Sequence, residues 1–220
     1  MSNAHNAKVR QHFDRWAHNY DGGRISRWLR AFQQRTIEAI SPPSNFHVLD
    51  VGCGTGWATV RLGWILSEGR ASGIDLSPVM VAKAQAKSKA EDMGNVEFTV
   101  ADAENIPYED GLFDAIMCTC SFHHYLHPVR VLSEFLRVLR PGGRAYVLDA
   151  FRDRSVLVTL FDLGHKLLVG DHVRYYHTRE LKGFFHAAGF RDVREEFRVR
   201  RFFIHGKFLT SIVLVSGRKQ

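Results

Sequence analysis

Only three cysteines occur in the 220 residues, at positions 53, 118 and 120. They make no Cys-x-x-Cys pair and are too few for a disulfide framework, which excludes a small stapled module and a dithiol redox motif. Long apolar runs are missing as well. The longest, Val156 to Val169, is interrupted by Asp162, His165 and Lys166, too short and too polar to span a bilayer. The opening Met1-Ser-Asn-Ala-His-Asn-Ala-Lys8 has no apolar segment of the secretory kind, so a cytoplasmic location is expected. No internal repeat and no low-complexity tract is present, which excludes a solenoid.

What is there suits one domain with a full core: 45% of the residues are apolar, ordinary for a globular chain. Thirty basic against twenty-three acidic side chains leave a net charge of +7. Nucleic acid, anionic lipid or an acidic substrate could each exploit that excess. Part of it falls late, at Arg191, Arg194, Arg198, Arg200, Arg201 and Lys207. The alternation in Arg198-Val-Arg200 reads as a solvated strand face, with a dedicated anion patch as the alternative.

The stretch with most information is Val48-Leu-Asp-Val-Gly-Cys-Gly-Thr-Gly56. An apolar strand ends at Asp50, glycines follow at every second position, and Trp57 to Leu66 reads as a helix. Glycines let backbone approach ligand atoms where a Cβ would collide. A dinucleotide fingerprint begun at Gly52 would need its third glycine at position 57, which is Trp57. Downstream, strands and helices alternate. Strands are expected at 71–75, 95–100, 113–118 and 144–148, and helices at 78–92 and 129–139. Ser77-Pro78 is an N-cap followed by proline at the first helical position. Alternation of this kind predicts a mostly parallel sheet covered on both faces. Residues 8 to 40 read as helical, with a break at Asp21-Gly22-Gly23. Thr178 is expected to cap a helix through Ala188. Asp192–Phe203 and Phe208–Val215 read as antiparallel strands around His205-Gly206.

Gly-x-Gly-x-Gly after an aspartate resembles motif I of the class I S-adenosylmethionine-dependent methyltransferases. Ala71-Ser-Gly-Ile-Asp75, Val96-Glu-Phe-Thr-Val-Ala-Asp102-Ala103, Phe113-Asp114-Ala115-Ile116 and Leu139-Arg140-Pro141-Gly142-Gly143-Arg144 resemble the later motifs of that family, in its order. The chain is most similar to the subgroup of quinone-biosynthesis and small-molecule (type 11) methyltransferases. The resemblance implies a Rossmann-like doubly wound α/β fold: a mostly parallel seven-stranded sheet with a C-terminal antiparallel hairpin strand. It divides a single domain into a helical lid (1–40), a cofactor core (46–150), an acceptor-covering insertion (151–177) and a C-terminal helix and hairpin (178–220).

S-adenosylmethionine is the implied cofactor, and no metal site is read. By resemblance, Asp50 orders the glycine loop and favours the cofactor ammonium. Gly52, Cys53, Gly54 and Gly56 supply close backbone. Asp75 accepts from the ribose hydroxyls, with a plain turn-capping role as the alternative. Asp102 and Ala103 meet the adenine, with Leu76 and Ile106 beside it, and Cys120 or Ser121 offers a carbonyl to the ammonium. Tyr20 belongs to a lid, or else to a core stripe at helical spacing. His123 and His124 are the candidate general bases, because neutral imidazole is available near neutral pH; a structural bond to backbone is the alternative. Tyr125, Arg152, Arg174, Tyr175 and His177 are candidates for the acceptor wall. Three functions compete: methylation of a small, partly apolar metabolite, methylation of RNA, and cofactor binding without catalysis. A small-molecule acceptor is the favoured partner, nucleic acid the less favoured one, and the oligomeric state is open.

Overall fold

The computed structural model describes residues 2–151, 174–199, 203–204, 207–208 and 211–220. Arg152 and most of the expected insertion therefore lie outside the described residues. Helix α1 (Ser2–Trp16) runs through a 3-10 turn (Ala17–Asn19) to α2 (Arg24–Ile40). The break falls at Asp21-Gly22-Gly23, where the glycines interrupt the helix. Then come β1 (His47–Val51), α3 (Trp57–Ile65), β2 (Arg70–Asp75), α4 (Pro78–Ala90), β3 (Val96–Val100), β4 (Phe113–Thr119), α5 (Pro128–Val138) and β5 (Leu139–Phe151). The chain closes with α6 (Thr178–Ala187), β6 (Arg191–Val199), β7 (Phe203–Ile204), β8 (Lys207–Phe208) and β9 (Ser211–Arg218). No described helix is long and apolar enough to cross a membrane.

Seven strands form one sheet in the order β3-β2-β1-β4-β5-β9-β6. The first five are parallel, and β9 runs antiparallel between β5 and β6. Alternate residues of each strand fill two cores. Leu49, Val51, Ile74, Ile116 and Val147 pack under α5 and α6 on one face. Val48, Ala71, Ala115, Met117 and Leu148 meet α2 and α3 on the other. Both faces are buried, which is why these strands read as apolar runs rather than alternations.

Three boundaries differ from expectation. β5 begins at Leu139, which pairs with Phe113 before a register shift at Ala115. The helix after residue 177 is capped by His177, not Thr178: His177 and Glu180 exchange side-chain and backbone bonds as a capping box. The expected antiparallel pair is present with other bounds: β6 (Arg191–Val199) pairs along its length with β9 (Ser211–Arg218), and among the described residues β7 and β8 add a two-residue ladder. Two of the late arginines are balanced locally: Arg194 lies 2.9 Å from Glu196 and Arg198 lies 2.7 Å from Glu195.

Candidate functional site

β1 and β4 are neighbours although two strands separate them in sequence, so the connections after them leave in opposite directions and open a crevice at the carboxyl edge. That crevice is bordered by the ends of β1, β2, β3 and β4 and by α1. Gly52 and Gly54 line it with φ of 75° and 54°, conformations that side chains with a Cβ rarely adopt. A Cβ on Gly52 would strike Ser121, so this glycine lets the turn after β4 close onto the loop. Gly56 does other work. It is the left-handed N-cap of α3, and a Cβ there would lie 2.6 Å from Phe98, away from the crevice. The Cys53 side chain also leaves the crevice, for a small core with Val60, Val81, Ala84 and Phe98.

Three aspartates stand at the ends of successive strands. Asp50 is fully buried beneath the loop. Its Oδ2 accepts from Thr59 at 2.8 Å, and its Oδ1 has no partner. Burial, with the Asp75 charge behind it, pushes this carboxyl up to about 7. Asp75 accepts the Gly54 N–H and the Ser77 N–H, each at 2.9 Å. It thereby holds the loop against the start of α4, and burial raises its pKa despite those bonds. Each oxygen retains a second lone pair. Asp102 turns one oxygen inward to the Glu104 N–H at 2.9 Å and the other to Asn6 at 2.7 Å. Leu76 and Ala103 line the crevice with them. Ile106 is a core residue instead, 3% exposed under α5.

The N-terminal section closes the mouth. Val9, Arg10, Phe13 and Tyr20 face in. Tyr20 packs edge-on to Trp16 and stands over Gly54, and burial keeps its phenol protonated. Asp21 ties this lid down: its Oδ1 accepts from Thr55 at 2.9 Å and from Arg30 at 2.8 Å, and Lys87 lies 3.6 Å away. Burial opposes the charge, yet the Thr55 hydroxyl and the Lys87 and Arg30 cations hold the carboxyl below its ordinary value.

After β4, Cys120 adopts φ of 54° and breaks the strand alternation. Cys118 consequently packs in one core and Cys120 against the other, so the two do not share a face. Cys120, Ser121, His124 and Tyr125 line the crevice. His123 does not; its Nδ1 lies 2.8 Å from Asp149 Oδ1, and its backbone N–H donates to Oδ2 at 3.0 Å. The backbone-bonded alternative for this ring gives way to a carboxylate-bonded one, with Asp149 only 3% exposed. Tyr175 rests 5.1 Å from the His123 ring. Arg174 pairs with Glu180 at 2.9 Å and covers Tyr176, while His177 caps α6; neither lines the crevice.

Sequence reasoning missed Asn6, Arg10, Gln33 and Asp149. Only Asp149 left a trace, a carboxylate ending the apolar Tyr146-Val-Leu.

A reversed-order sheet, a glycine loop on β1 and acids ending β2 and β3 define a nucleoside-binding methyltransferase fold. Residues 48–143 match the family described as a methyltransferase domain, and the fold is that of the Rossmann-like methyltransferases. The cofactor is S-adenosylmethionine. The chain is similar to O-methyltransferase cnsE of Penicillium expansum, 33% identical over 171 residues, 72% of this chain and 59% of that protein. It is also similar to the demethylmenaquinone methyltransferase of Symbiobacterium thermophilum, 31% identical over 67% of this chain and 61% of that protein. It thus spans about three fifths of the length of these relatives, 59% and 61%. Among solved structures, the YcgJ protein of Bacillus subtilis superposes with a TM-score of 0.76 at 20% identity, covering 86% of this chain and 97% of that one. The [4+2]-cyclase SpnF superposes at 0.71 with 24% identity, covering 86% and 80%. At such identities the likeness shows the fold alone.

The residues present fit the cofactor. Asp50 Oδ1 is an orphaned buried acceptor beneath the loop, suited to an ammonium nearby. The Gly54 Cα faces the Tyr20 ring across a gap in which a Cβ would already stand 3.7 Å from the hydroxyl.

Proposed function

We propose that this chain transfers the methyl group of S-adenosylmethionine to a small, partly apolar acceptor, at O, N or C. The observation that carries the reading is the crevice under α1, in which glycine backbone, the strand-end Asp75 and Asp102 and an aromatic lid converge, with Asp50 buried beneath the loop. When bound, the cofactor supplies a methyl group already activated by its sulfonium. The chain has to bind, align and keep water out. Gly52, Gly54 and Asp75 hold the sugar and methionine end, Asp102 and Ala103 the base, and α1 with Tyr20 excludes solvent. Tyr125 and Phe13 give the crevice an apolar wall toward the acceptor side.

Where the acceptor must lose a proton, the candidate bases are His124, which lines the crevice, and His123, whose ring centroid lies 4.1 Å from that of His124 and whose Nδ1 is held by Asp149. Asp149→Asn should lower kcat/KM at least about tenfold and leave cofactor affinity within about twofold. An unchanged pH–rate profile in that variant would assign the pair to structure.

The names of the relatives support a small-molecule acceptor. RNA is the second reading and draws on the net charge. Against it, Arg137, Arg140, Arg144, Arg194 and Arg198 are each paired with a carboxylate, so much of the charge is spent locally. S-adenosylmethionine should raise the melting temperature by mass action, and NAD should not. A shift with NAD alone would sink the cofactor role. Screening small-molecule extracts and bulk RNA for S-adenosylhomocysteine release separates the two acceptors, and release from neither would favour a binding protein.

A further inference from the structure

α1 crosses the mouth of the crevice and is fastened to three successive strand-end loops. After β2, Ser77 Oγ donates to Asp14 at 2.5 Å. After β3, Asn6 Nδ2 donates to Asp102 Oδ2 at 2.7 Å. After β4, His5 Nε2 donates to the His124 carbonyl at 2.8 Å. Among the described side chains of α1 only Val9 is buried. Phe13 and Trp16 are half-buried, so the helix is held by these polar bonds and a narrow apolar strip, and opens at lower cost than a helix seated in the core.

The Asn6 bond differs from the other two in where it ends. Asp102 Oδ1 is committed to its own turn through the Glu104 N–H. Oδ2 takes the Asn6 bond and is the oxygen left for an exocyclic amino group. The donor now on it is a planar carboxamide N–H, chemically the same kind of donor as the 6-amino group of adenine. Asn6 and Asp102 both line the crevice, so the contact lies inside the site and not behind it.

We propose that Asn6 is an affinity-setting residue of the purine subsite: its carboxamide holds the adenine acceptor on Asp102 while α1 is down, and an adenine nucleoside competes with it for that oxygen and for the space beside it. The inference rests on the reading of Asp102 as the adenine acceptor. Its consequence separates two roles within one helix. Tyr20 and Asp21, at the far end of the lid, favour the bound cofactor, whereas Asn6 opposes its entry. The same helix would therefore weaken binding when deleted and strengthen it when one side chain is cut back.

The test is calorimetric titration and stopped-flow association of S-adenosylhomocysteine with the full chain, as wild type, Asn6→Ala and Asn6→Leu. Leucine is close to asparagine in shape but has no donor. Both variants should bind about two- to tenfold more tightly, mainly through faster association. Asp102→Ala should bind more weakly. Weaker binding in both Asn6 variants would make Asn6 a clamp on the purine and overturn the proposal. Unchanged binding would overturn it as well. A wild type that bound no S-adenosylhomocysteine would remove the cofactor reading itself, and this inference with it.

Discussion

A chain lacking residues 1–21 is expected to fold and yet release no S-adenosylhomocysteine with any acceptor that the whole chain uses. α2 begins at Arg24 and packs Phe32 and Ile37 into the core by itself, whereas among the described side chains of residues 1–21 only Val9 and Ala17 are buried. The truncation therefore removes little of what holds the domain together. It does remove Tyr20 from above Gly54, and Asp21 from Thr55, Arg30 and Lys87. The glycine loop loses its tie to the lid, two cations lose their carboxylate, and water reaches the place where the methyl group would move. Cofactor affinity should fall at least about tenfold and turnover at least about a hundredfold, since alignment and water exclusion are the chain's main contributions. Circular dichroism would show a cooperative melt, calorimetry the weak binding, and radiolabel transfer the lost turnover. Normal turnover in the truncated chain would mean that the aromatics of α1 are simple cover.

Asp50 should make the cofactor-free domain lose stability as pH rises. Its carboxyl titrates at about 7 in the fold, against 3.8 for an exposed aspartate, chiefly because it is buried. The folded state thus binds the proton more tightly than the unfolded chain. The stabilisation is complete below about pH 4 and is lost progressively up to about pH 7, at a slope near 1.4 kcal/mol per unit. Asp50→Asn keeps the shape and cannot ionise. Urea titrations of the two proteins should agree near pH 4 and diverge to about 2–4 kcal/mol by pH 8, with the variant the more stable. The same variant should lose at least about tenfold in cofactor affinity, because the buried charge that an ammonium would neutralise is gone. Parallel stability curves across that range would show that Asp50 is ionised throughout, and its unpaired oxygen would need another account.

The parallel sheet, the crevice and its glycine loop were legible because each is written locally. Val48 to Gly56 contains its own strand, turn and helix start, and both-face burial leaves an apolar run that needs no partner to be read. Asp50, Asp75 and Asp102 stand out because each lies at or just past the carboxyl end of such a strand. The cap at His177 was not found, since a histidine is chosen there only through its pairing with Glu180. No local pattern signals that Cys118 and Cys120 pack on opposite faces, since that follows from one left-handed residue at a strand end.

What the sequence by itself determined is the order of elements and the chemistry ending each strand, because hydrophobic periodicity and turn residues act over a few neighbours. What only the tertiary structure decided is which distant groups meet. Asn6 reaches Asp102 across 96 residues and Asp149 reaches His123 across 26. Those pairs form because the sheet brings separate strand ends to one edge and a helix lies across it, and no local pattern encodes a bond between side chains that far apart.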